Sequence, residues 1–186
     1  MMITNTVATT LIVTSKESIE SSNRGLEIKM ARLSQELIGL LNDPATVKVV
    51  STTDARGVPH AVAKGSLTTL DEELIAWSEG FDSSTSNKNL VGSIWFDRTV
   101  AINATKGAVS YQIKGKLYKC LIAGPIFKSF LQRARERRGP EADIAAVWLL
   151  VPEEERNESP AVRGTEEAEK RPFFHQHLDN ASIKAS

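Results

Sequence analysis

The sequence predicts a mainly β chain with added helices (β+α), built as a small antiparallel barrel of five or six strands. Three observations carry this. Short β-branched or alternating runs recur along the middle of the chain, separated by turn signals. Helical spacing appears at both ends of the strand set and once within it. Closure is also the usual way in which such a sheet hides its edges.

Ordered structure is expected to begin at "MARLSQELIGLLND". Leu33, Leu37, Leu40 and Leu41 fall at helical spacing there, and Asp43-Pro44 ends the pattern. "TVKVVSTT" alternates and is β-branched, and "DARG" reads as a hairpin turn with Gly57 free to take a positive φ. "VPHAVAKGSLTTL" runs back. One of its faces carries Val58, His60, Val62 and Lys64, and the other carries only Pro59, Ala61, Ala63 and Gly65. "ELIAWS" is a third strand.

"EGFDSSTSNKNL" then crowds hydroxyls and amides into the mouth of a short helix over residues 84–91. "RTVAINAT" is a fourth strand, Lys106-Gly107 a turn, and "AVSYQIKGKLYKCLI" a long fifth strand. Gly115 within that strand signals a bulge or a close backbone approach. Gly124-Pro125 opens a helix with Phe127, Phe130, Leu131 and Ala134 facing inward, and Gly139-Pro140 ends it. "IAAVWLLV" is a last, fully buried strand.

These boundaries divide the chain into an N-terminal tail over residues 1–29, a domain over residues 30–152 and a charged C-terminal tail over residues 153–186. The C-terminal tail is expected to be mobile or to wrap a neighbour, with Phe173 and Phe174 able to dock.

Bulk composition narrows the function. The 23 basic and 23 acidic residues cancel, so no broad electrostatic footprint for nucleic acid is present. The lone Cys120 excludes an internal disulfide and a cysteine-clustered metal site, and points to a reducing cytoplasm. It reads as a small buried or half-buried residue, not a nucleophile. The longest apolar run, residues 145–151, is too short to span a bilayer. "HQH" at 175–177 lacks acidic or cysteine partners for a metal.

The ordered set "LNDPATVKVVSTTDARGVPHAVAKGSL", "SSTSNKNL", "FDRTVAINAT", "YQIKGKL" and "IAAVWLLVPEE" resembles the pyridoxamine 5′-phosphate oxidase-like family of FMN-binding split barrels. The resemblance covers roughly residues 30–152. It implies a six-stranded antiparallel split β-barrel with flanking helices, and a homodimer with FMN at the interface. It further implies oxidoreductase chemistry on a small-molecule redox substrate.

The same resemblance places the flavin ring along Val62, Ala63 and Lys64. It places the FMN phosphate at Thr85, Ser86 and Asn89, where many members carry a basic residue that this chain lacks; Lys88 or Lys64 can provide the charge instead. On the long strand, Ser110 and Gln112 correspond to polar contacts of the phosphate or ribityl chain. No side chain is nominated as a catalytic acid or base.

The tail "PEEERNESPAVRGTEEAEK" lacks the Arg- and Trp-containing ending of true pyridoxamine phosphate oxidases, which argues against that activity. Plainer readings stand beside these. Ser84, Thr85 and Ser86 can simply cap a helix, Lys64 can be a snorkelling surface lysine, and Ser110 and Gln112 can be the wet side of a strand. Tyr111 and Trp148 read as core. The basic helix residues Lys128, Arg133, Arg135, Arg137 and Arg138 form a solvated face or an anion-binding one. The alternative function is a cofactor-free or deazaflavin-binding split-barrel dimer with a binding or sensing role.

Overall fold

The computed structural model describes residues 31–171. The expected N-terminal tail, the aromatic pair at 173–174 and the histidines at 175–177 lie outside the described residues. The described chain runs α1 (Gln35–Asn42), β1 (Val47–Thr53), β2 (Pro59–Ala63), β3 (Thr68–Thr69), β4 (Ile75–Glu79), α2 (Thr85–Trp95), β5 (Val100–Lys106), β6 (Val109–Leu121), α3 (Gly124–Arg138), β7 (Ala146–Asn157) and α4 (Pro160–Lys170).

The helices start where the sequence signals them. Ser34 caps α1 by accepting a hydrogen bond from the Leu37 amide, and Leu37, Leu40 and Leu41 are buried. The carbonyls at the far end of α1 meet a buried cation. Lys48 Nζ donates to Leu41 O at 2.8 Å, to Asp43 O at 3.2 Å and to Leu67 O at 3.1 Å. This uses the ammonium's three protons on carbonyls, one of which, Leu41 O, is orphaned by the helix end, while burial lowers the lysine's pKa.

The seven strands form one curled antiparallel sheet in the order β2-β1-β5-β6-β7-β4-β3. Its two edges, β2 and β3, are joined by residues 64–67 alone. So short a link forces the sheet to curl until its edges approach, and the fold is a split barrel. Seven strands replace the expected six because "VPHAVAKGSLTTL" is two strands. The Leu67 amide donates to Lys64 O at 3.1 Å, which makes a turn in the middle of it.

The hairpin before β2 is as the sequence suggests. Gly57 has φ +81°, and Asp54 Oδ1 accepts from the amides of Arg56 (2.8 Å) and Val58 (2.9 Å). Gly115 meets both of its expected demands. The β6–β7 register shifts between Lys114 and Gly115, and a β-carbon at Gly115 would lie 2.2 Å from Val151 O.

Two cores share the sheet. Ile75, Trp77, Ala146, Trp148 and Leu150 face the barrel interior with α1 and the α2 residue Leu90. Leu74, Ala76, Val147, Leu149 and Val151 face outward beneath Phe130 and Ala134 of α3. This is why "AVWLLV" is apolar at every position: both faces of β7 are covered.

Beyond residue 152 the structure is more ordered than the sequence suggested. β7 continues on charged residues to Asn157 because β6 provides a backbone ladder opposite, pairing Tyr111 with Asn157 and Lys114 with Glu154. α4 follows. Its first turn is tied by Arg163 to Glu158 (3.2 Å) and to Glu166, and the Ser110 amide donates to Ser159 Oγ at 3.1 Å.

Candidate functional site

The open side of the barrel, where β2, the end of β4 and the start of α2 come together, gathers most of the residues singled out in the sequence. Ser84 caps α2, its side chain accepting from the Asn87 amide at 3.0 Å. Behind it the hydroxyls and amides of "SSTSNKNL" turn inward. Ser86, Asn87 and Asn89 are buried, while Thr85 and Lys88 are exposed.

A carboxylate organises the inward-facing group. Glu79, only 1 % exposed, ends β4 on the same face as Ile75 and Trp77, because side chains two apart on a strand point the same way. Its Oε1 accepts from Ser86 Oγ at 3.0 Å and from Trp77 Nε1 at 3.2 Å. Its Oε2 accepts from Lys64 Nζ at 2.7 Å. Both oxygens are therefore engaged, as a buried charge requires.

The remaining amides are also held internally. Asn89 Nδ2 donates to Thr52 Oγ1 at 3.1 Å. Asn87 Nδ2 donates to Asp82 O and Oδ1, and Asn87 Oδ1 accepts from Trp148 Nε1 at 2.9 Å.

This donor set does not fit a phosphate dianion. Ser86 and Lys64, two of the expected phosphate donors, already serve a buried carboxylate that would repel a second anion. Asn89 is tied to Thr52. What α2 still offers is its first-turn amides, the exposed Thr85 hydroxyl and the exposed Lys88.

Val62 is half-buried and Ala63 exposed, and the small-residue face of β2 (Pro59, Ala61, Ala63) is the exposed one. Among the described residues β2 pairs only with β1, so its other edge presents backbone groups that none of them pairs.

Ser110 and Gln112 are not part of this group within one chain. Gln112 pairs with Arg156 and Leu121 with Val147 along β7, whereas Glu79 pairs with Ala146. Across the sheet the ladder runs from Gln112 to Asn103, Val49 and Ala63, which leaves Gln112 level with Ala63 but three strands, about 14 Å, away from it. Ser110 Oγ lies 3.2 Å from Thr105 Oγ1 and accepts from Asn103 Nδ2 at 3.3 Å.

Other residues take the roles first assigned to them. Trp148 and Tyr111 are buried, and Tyr111 Oη donates to Glu36 Oε2 at 2.6 Å. Cys120 is half-buried, and burial, followed by the charge of Asp82, raises its thiol pKa, the opposite of an activated nucleophile. Trp77 proves to be core, while Trp95 is 78 % exposed. Among the described residues no cluster of His, Cys, Asp and Glu is placed to hold a metal ion, and no helix is long and apolar enough to cross a membrane.

Glu79 is the residue the sequence reading missed. The available signal was its place two residues after Trp77 on a strand whose inner face is buried.

With this geometry in hand, the fold class can be set against known structures. HupZ of Group A Streptococcus superposes with a TM-score of 0.58 at 20% identity, over 69% of this chain and 95% of that one. An FMN-binding protein from Syntrophomonas wolfei superposes with a TM-score of 0.54 at 17% identity, over 81% of this chain and 97% of that one. A candidate pyridoxamine 5′-phosphate oxidase from Lactobacillus delbrueckii gives 0.51 at 22% identity, over 67% and 93%. No protein-family profile and no curated protein matches the sequence. The structural likeness shows a shared fold, the split barrel, and agrees with the family resemblance read from the sequence.

Proposed function

We propose that this protein is a split-barrel flavin-binding protein of the oxidoreductase type. In this reading the ring of FMN, or of a related flavin, lies against the open edge of β2. The observation that carries it is that edge. Among the described residues Val62 and Ala63 sit on a strand hydrogen-bonded on one side only, and the face beside it bears only small side chains. A flat ring with donors and acceptors along its rim suits such a surface. The FMN-binding protein from Syntrophomonas wolfei shares the fold, which supports the choice of ligand. A bound flavin would bring electron or hydride transfer, and the protein would bring binding and orientation. Thr85, Lys88 and the α2 amides can meet the ligand only from the surface, because Ser86, Asn89 and Lys64 are engaged inside.

We further propose that the working unit is a homodimer. Val91 and Trp95, one turn apart on α2, and the adjacent Phe96 are 42%, 78% and 71% exposed, an apolar patch of the kind that marks an interface. A second copy is also the means by which Ser110 and Gln112 could reach a ligand held at β2. A reducing cytoplasm remains our reading of location, supported by the lone cysteine.

A second reading, a cofactor-free binding or sensing dimer, is favoured by one specific observation: Glu79 already fills the place of an anion. One experiment separates the two. The visible spectrum of purified protein is recorded, released cofactor is identified by mass, and added FMN is titrated into wild type and Ala63→Trp. A flavin spectrum, or FMN uptake that Ala63→Trp abolishes without lowering the melting temperature, supports the flavin reading. A colourless protein that takes up no FMN overturns it in favour of the cofactor-free dimer.

A further inference from the structure

A second feature of the open side adjoins the β2 edge, with Ala63 and Lys64 common to both. The last turn of α3 passes over the turn between β2 and β3 and leaves a cleft of about 300 Å³. Its floor is small: Gly65, Ser66 and Gly80. Its charged wall is Arg137 and Arg138, with Lys64 at the back. Among the described residues no acidic side chain lines it. Glu136 lines the neighbouring cleft, which shares Arg137, and Glu79 is buried against Lys64.

The two guanidinium groups are unneutralised. Both arginines are exposed, and among the described residues neither has a carboxylate within ion-pair distance, whereas Arg32, Arg56, Arg156, Arg163 and Arg171 each do. Arg138 Nη2 donates to Asp143 O at 2.9 Å, which fixes the group beside the cleft, and its Nη1 lies 3.9 Å from where a β-carbon on Gly80 would stand. Arg137 Nε donates to Arg133 O at 3.3 Å, and its Nη1 makes a long contact, 3.5 Å, with Gly65 O. Each guanidinium has five donors, so most of them remain available toward the cleft.

We propose that this cleft is an anion site for the phosphate group of a small molecule, with Arg137 and Arg138 as its charged donors. Two forked cations with donors to spare suit phosphate oxygens bidentately, and a small-residue floor lets the anion approach backbone. Arg138 is pre-positioned by Asp143, which lowers the ordering cost of binding. On α2 the inward donors Ser86 and Asn89 are engaged by Glu79 and Thr52, whereas the two cleft arginines keep most of theirs, so this cleft is the better phosphate site on the open side.

The test is titration of inorganic phosphate into the full chain by calorimetry at low and at physiological salt. Three proteins are compared: wild type, Arg137→Gln/Arg138→Gln, and the equal-charge control Lys128→Gln/Arg135→Gln. The expected result is one phosphate per chain in wild type and in the control, and a loss of about tenfold or more in the cleft variant. Equal weakening in both variants would mean bulk charge attraction and would overturn the proposal, as would absence of saturable binding in wild type. Should the double variant unfold, Arg137→Gln alone carries the comparison, since its contact with Gly65 is long. FMN and riboflavin keep this inference apart from the flavin reading. Phosphate binding with neither flavin bound overturns the flavin reading and leaves the cleft standing. An FMN preference over riboflavin that vanishes in the cleft variant supports both.

Discussion

Lys64 Nζ and Glu79 Oε2 meet at 2.7 Å with their side chains 11% and 2% exposed, joining the turn after β2 to the end of β4. The pair spans the open side of the barrel at the point where the sheet's two edges separate.

Removing either partner strands the other charge in a dry setting. Lys64→Met or Glu79→Gln is expected to cost about 3 kcal/mol or more in urea denaturation. The double variant should cost less than the sum, because the two residues act as one unit. Costs below about 1 kcal/mol, the range of exposed ion pairs, would show that water reaches this pair.

Glu79→Gln has a second expected effect, of opposite sign, on ligands. It removes the negative charge beside Ser86, so FMN affinity measured by fluorescence quenching should rise relative to wild type. An unchanged or lower affinity would mean that Glu79 does not face the ligand's anion.

Gly115→Ala should be among the most damaging single substitutions. The added methyl would stand 2.2 Å from Val151 O and 2.8 Å from Leu150 Cδ2, and the first of these is backbone. A loss of about 3 kcal/mol or more is expected by thermal or urea melting. A mild effect would mean that the β6–β7 bulge can relax.

Tyr111 gives the fold an alkaline limit. Burial, then its hydrogen bond to Glu36, pushes the phenol from 10.0 up to about 12. The folded chain therefore holds this proton more tightly than the unfolded one. The contribution, about 2–3 kcal/mol, is complete below pH 10 and is lost as pH climbs toward 12. Tyr111→Phe lacks it, so the stability gap between the two proteins should narrow across that window. A constant gap would refute the assignment.

Trp95→Glu tests the proposed dimer. Light scattering should find a dimer for wild type and a monomer for the variant, with unchanged circular dichroism, since Trp95 contributes little to the core of its own chain. A wild-type monomer would sink the idea.

Features set by near neighbours in sequence were the legible ones. The leucine seam of α1, the Gly57 turn and the Gly115 bulge each depend on local spacing or on the conformational demands of one residue. The barrel class followed from strand count and turn placement.

What was not legible depends on pairing at a distance. Glu79 reads in "WSEG" as an acid at a strand end, which is ordinarily solvated. Only the curl of the sheet brings Lys64, fifteen positions earlier, against it. The inward turn of Ser86 and Asn89 follows from that carboxylate and from Thr52, and a run of hydroxyls cannot announce which way it faces. The extension of β7 and the helix α4 were hidden for a related reason. Their residues are charged, and their order comes from the backbone of β6 and from ion pairs around Arg163, not from apolar periodicity.

β7 packs Trp148 into one core and Leu149 into the other. Peeling α3 from the outside would expose the outer face of a strand that also floors the barrel, so the two layers are expected to open together. The amides of Trp148 and Leu149 are therefore expected to exchange with solvent only through global unfolding. Mobility tied to ligand exchange is left to the rim, where β2 and β3 each pair with a single strand among the described residues.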